Sequence, residues 1–133
     1  MLDTAYGFTR TLVGVSYEVA RQRIEAALKE QGFGVLTEID VKDTLKAKIN
    51  VDFPSYVILG ACNPALAHQA LSADPAVGLL LPCNVVVTQD DKGNAIISIL
   101  DPEALLKVVP DAALFASPMH EARKRLQQAL AAA

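Results

Sequence analysis

Apolar positions along this chain change their period several times, and each change marks an element. From Tyr6 to Val15 the residues alternate and are rich in β-branched side chains, which predicts a strand. After Ser16 the spacing lengthens: Ala20, Ile24, Ala27 and Leu28 recur at helical intervals and form one apolar stripe. Ser16 is a suitable N-cap, Glu25 and Lys29 form an i,i+4 pair on the polar side, and Gly32 supplies a C′ glycine.

Alternation returns from Phe33 to Val41 and predicts a second strand. Val35, Thr37, Ile39 and Val41 are expected on one face, with Leu36, Glu38 and Asp40 on the other. Asp43 to Ile49 reads as a short helix with Leu45 and Ile49 inward, followed by a turn-rich break from Asn50 to Pro54. Tyr56 to Ala61 is a third strand. Asn63-Pro64 then opens a helix, Asn as N-cap and Pro at the first position, where no amide hydrogen is needed. Leu66, Ala67, Ala70 and Leu71 are expected on its buried side, and Asp74-Pro75 closes it.

Cys83 to Gln89 and Ala95 to Leu100 predict a β-hairpin joined by Asp90-Asp91-Lys92-Gly93-Asn94. The cap-then-proline pair recurs at Asp101-Pro102, starting a short helix, and at Ser117-Pro118, starting the final one. In that last helix Met119, Ala122, Leu126, Ala129 and Leu130 share a face, and the terminal alanines are expected to fray. Five strands with long flanking helices predict an α+β two-layer sandwich, one domain over residues 1–133, with helices on one face of the sheet.

Composition narrows the function more than it defines it. The chain is 52% hydrophobic but only 5% aromatic and has no Trp, so aliphatic side chains must build its core. A net charge of −3 gives no basic field for nucleic acid, and Arg123, Lys124 and Arg125 read as a solvated helix face. No apolar window is long enough to span a membrane, and no signal-peptide pattern opens the chain. A cytoplasmic location is therefore expected, where two cysteines stay reduced.

The runs TEIDV, LGACNP and LLPCNV, within Gly32 to Leu71 and Gly78 to Val87, resemble the bacterial and archaeal domain of unknown function 302 family. The resemblance implies a small protein with a curved, mainly antiparallel five-stranded sheet and helices on one side, as in TATA-binding-protein-like folds. It also implies a homodimer. It implies no activity and no DNA binding, because fold does not carry function.

The residues that carry candidate chemistry centre on two mirrored segments, Cys62-Asn63-Pro64 and Pro82-Cys83-Asn84. If both belong to one sheet, the thiols lie close together at one edge. Cys62 stands near the positive end of a helix, which stabilises a thiolate, whereas burial opposes it. The pair reads either as a thiol site or as two small residues filling tight corners. Asn63 reads as a helix cap. Asn84, in a strand where Asn is uncommon, binds either a neighbouring loop or a ligand. Glu38, Asp40 and Lys42 read as an acid–base group lining a pocket or as an exposed strand end with a local ion pair.

His68 is expected at the surface, and His120 sits beside Met119 without a paired metal-ligand spacing. No cofactor or metal is expected. The leading expectation is a binding module for a small molecule or protein partner, with a candidate pocket formed by Cys62, Asn63, Cys83, Asn84, Glu38, Asp40 and Lys42. The alternative is a thiol-based redox protein or enzyme with Cys62 as nucleophile and Cys83 as resolving thiol.

Overall fold

A computed structural model describes residues 2–133. Among these, five strands form one wholly antiparallel sheet: β1 (Gly7–Leu12), β2 (Gly34–Asp40), β3 (Tyr56–Cys62), β4 (Cys83–Gln89) and β5 (Ala95–Leu100). Their spatial order is β1-β5-β4-β3-β2, so β2 to β5 run as a meander and β1 closes on β5. The link from β1 to β2 joins opposite edges of the sheet. Helix α1 (Tyr17–Glu30) makes that crossing, burying Ala20, Ile24, Ala27 and Leu28 against the strands. Ser16 caps it by accepting from the Val19 N–H, and Gly32 follows it with a left-handed φ of 81°.

Directly opposed residues in antiparallel strands share a face. One such row is Glu38, Leu59, Val85, Ile99 and Phe8, and its central members are fully buried beneath the helices. Helix α4 (Ala112–Ala132) lies beside α1 on this face and buries Leu126, Ala129 and Leu130 in the same core. A second cluster lies at one end of the sheet. It joins Ala70 of helix α3 (Pro64–Ala73), Val77, Leu105, and Phe115 and Met119 of α4. Val77 and Leu105 come from two 3₁₀ segments, Pro75–Leu80 and Pro102–Lys107.

Four expectations need correction. A β-bulge between Val35 and Thr37 leaves Leu36 without a partner and reverses the alternation of β2. Val35 therefore shares the helix face with Glu38 and Asp40, while Thr37 and Ile39 point the other way. Helix α2 (Val41–Ile49) buries no residue, and Ile49 is 63% exposed rather than inward. The last helix starts at Ala112, not at Ser117, and Pro118 lies inside it. Pro118 has no N–H for the carbonyl of Leu114, but its ring is buried, so packing offsets the missing bond. Finally, the C-terminal alanines are held. Ala129 and Ala133 are buried, and Arg10 Nη1 donates to the carbonyls of Leu130 at 2.8 Å and Ala131 at 2.9 Å. A cation at a helix C-terminus also complements the helix dipole.

Candidate functional site

The two clusters of buried side chains leave a cavity of about 310 Å³ at their seam. The ends of β3 and β4 form its floor, through Ala61 and Cys83. Helix α3 forms one wall with Leu66, Ala67, Ala70 and Leu71, the stripe that the sequence places on the buried side. That stripe is only partly covered: Ala70 is buried, Leu66 and Ala67 are half-buried, and Leu71 is exposed. Helix α4 supplies Pro118, Met119 and Ala122, and the bulged Leu36 stands at the mouth, 69% exposed.

The mirrored cysteine segments meet here. Cys62 ends β3 and Cys83 begins β4 opposite Ala61, and both thiols are free and border the cavity. Burial pushes the Cys83 thiol up to about 11, with a further rise from neighbouring Cys62. Cys83 is thus a neutral thiol at pH 7. Asn63 also borders the cavity. It is 6% exposed and caps α3, its Oδ1 accepting from the Leu66 N–H at 3.2 Å.

Other predicted site residues lie elsewhere. Asn84 is opposite Gly60, on the face away from the helices, and is exposed outside the cavity. Glu38 pairs with Arg21 of α1, and Asp40 caps α2 by accepting from the Asp43 N–H at 2.9 Å. Lys42 is exposed in the first turn of α2. None of the three borders the cavity. Glu38 and Asp40 face the helices but stand opposite Leu59 and Val57, further along β3 from Cys62, and Lys42 lies in α2. Residues not singled out from the sequence contribute instead, among them Phe33, Thr37 and Pro118. For Met119 and Ala122 the helical spacing was a usable signal.

On the outer side of the α3–α4 pair runs a polar groove that includes Gln69, His120, Glu121, Lys124 and Arg125, and it shares Asn63 and Leu66 with the cavity. Here the basic cluster divides. Arg123 turns to Asp101 at 3.2 Å and lies over the Phe8 ring, while Arg125 Nε donates to Glu121 at 2.9 Å. His120 pairs with Glu103, and His68 is exposed as expected.

A family model described as Domain of unknown function DUF302 matches residues 8–133. The chain belongs to the DUF302 family. Its fold is similar to the crystal structure of the uncharacterized conserved protein DUF302 from Bacillus stearothermophilus. The two share 32% identity and a TM-score of 0.86, over 96% of this chain and 98% of that one. No curated protein matches. The DUF302 assignment thus agrees with the resemblance carried by TEIDV, LGACNP and LLPCNV, two of which frame the cavity floor.

Proposed function

We propose that this DUF302 domain binds a small, mainly apolar molecule in the cavity between α3, α4 and the ends of β3 and β4. The apolar lining at the seam of two cores carries the reading. Four alanines, Ala61, Ala67, Ala70 and Ala122, keep the space open. At about 310 Å³ the cavity is at the small end of the ~300–1,000 Å³ typical of ligand pockets. A guest burying roughly 200–300 Å² of apolar surface gains about 5–7 kcal/mol before an association cost of at least about 4 kcal/mol, which points to an affinity of about millimolar or weaker.

Ala67 provides the test, because it is half-buried on a helix and tolerates growth into the cavity. Octanol titrated into the folded protein is expected to saturate, and Ala67→Phe to abolish that binding with the melting temperature unchanged or raised. Octanol binding that Ala67→Phe leaves intact places the guest elsewhere and removes this reading.

Thiol chemistry is the second reading, supported by the meeting of both cysteines at the cavity. It ranks lower because the burial that forms the floor also keeps Cys83 protonated. Self-association is proposed as well: β1 and β2 are the sheet edges, each with one side lacking a strand partner among the described residues. Sedimentation equilibrium giving a monomer at micromolar concentration contradicts it.

A further inference from the structure

We infer that the preferred guest is an amphiphile with an anionic head: its apolar body fills the cavity and its carboxylate sits between Asn63 and Arg125, beside Gly32. The inference rests on the binding reading above and adds the chemical class of the ligand.

Asn63 is the first observation. The residue is 94% buried by its 6% exposure, and its Oδ1 is committed to the cap of α3. Its Nδ2 donates to no acceptor among the described residues, yet it is not sealed from solvent-accessible space. A donor that the protein leaves free and open to solvent is available to an incoming acceptor.

Arg125 is the second. A Cβ placed on Gly32 would lie 2.9 Å from Asn63 Nδ2 and 3.5 Å from Arg125 Nη1, so the two nitrogens are at most 6.4 Å apart. Arg125 spends its Nε on Glu121 and leaves Nη1 without a protein acceptor among the described residues. Two N–H donors, one of them cationic, thus stand close together beside Gly32, and both residues line the polar groove on the outer side of α3 and α4. The carbonyls of Leu28 and Lys29, at the end of α1, already accept from Gln31, Gly32 and Phe33, which limits their repulsion of an anion. Asn63 and Leu66 line both the groove and the cavity, so head and body sites adjoin.

The charges of the groove favour an anion. The groove carries Lys124 and Arg125 against Glu121. Lys124 makes no ion pair among the described residues. A carboxylate held by a guanidinium and an amide gains two hydrogen bonds, one of them charge-assisted.

The experiment compares octanoate with octanol, which have the same apolar chain, on the full chain at pH 7. Octanoate is expected to bind about tenfold tighter, the worth of one charge-assisted hydrogen bond. Arg125→Gln is expected to remove that preference and leave octanol affinity unchanged. Asn63→Asp retains a good helix cap but replaces the donor with a negative oxygen, and is expected to weaken octanoate by tenfold or more. Octanol binding without any octanoate preference overturns the head-group site and leaves the cavity reading standing. A preference that neither substitution reduces also overturns it. If neither compound binds at millimolar concentration, both readings fall.

Discussion

Thr37 and Gly60 meet across the β2–β3 pair so closely that a Cβ on Gly60 would lie 2.1 Å from Thr37 Oγ1. Pro82 Cγ crowds the same point at 2.7 Å. Gly60 therefore lets three neighbouring segments close up at the end of the sheet where the cavity opens. Gly60→Ala is expected to cost about 2–3 kcal/mol by overpacking. Adding Thr37→Ala removes the hydroxyl but not Pro82, so part of the loss should return. Urea denaturation of the single and double variants checks both expectations.

Arg10 ties the first strand to the last helix. Arg10→Met keeps the aliphatic stem and removes both hydrogen bonds to the end of α4. A loss of about 1–2 kcal/mol is expected from the charged hydrogen bonds and the helix dipole. Amide hydrogen exchange should rise first in the last turn, at Ala129 to Ala133.

Gly32 and Asn63 should be energetically coupled. Asn63→Ala removes the cap of α3 at a cost of about 1 kcal/mol. Gly32→Ala combines a φ of 81° with a contact of 2.9 Å to Asn63 Nδ2. In the Asn63→Ala background that contact is gone, so Gly32→Ala should cost less there. A double-mutant cycle by thermal or urea unfolding measures the difference.

Cys83 makes stability fall in alkaline solution. Its thiol titrates near 9.0 when unfolded and is raised to about 11 by burial. The folded state thus holds the proton more tightly. Its contribution, about 2–3 kcal/mol at this shift, is complete below pH 9 and is lost as pH rises through 11. Burial also raises Tyr17, so the wild type must be compared with Cys83→Ala. The stability gap between them should narrow across that window, and a constant gap contradicts the assignment.

Elements with local causes were legible in the sequence. Ser16, Asn63 and Asp101 cap as their residue types dictate, and the hairpin runs from Cys83 to Leu100 as read. Ser117-Pro118 carries the same signature but lies within a helix, because burial of the proline ring outweighs one backbone bond. The bulge at Leu36 has no signature of its own: one extra residue in an alternating run changes no propensity, yet it moves Val35 to the opposite face. Cys62, Asn63 and Cys83 meet at the cavity, whereas Glu38, Asp40, Lys42 and Asn84 do not border it. The cavity itself depends on how far apart two packed clusters stand, a distance that no local pattern encodes.

The four alanines around the seam also bear on how such a protein changes over time. Each holds a place where one longer side chain would shorten or reshape the space, and Ala67 is only half-buried on a helix. Alanine already favours the helix, and a leucine there costs little in backbone propensity. The space available to a guest can therefore be reset one residue at a time, while the sheet beneath it keeps its register.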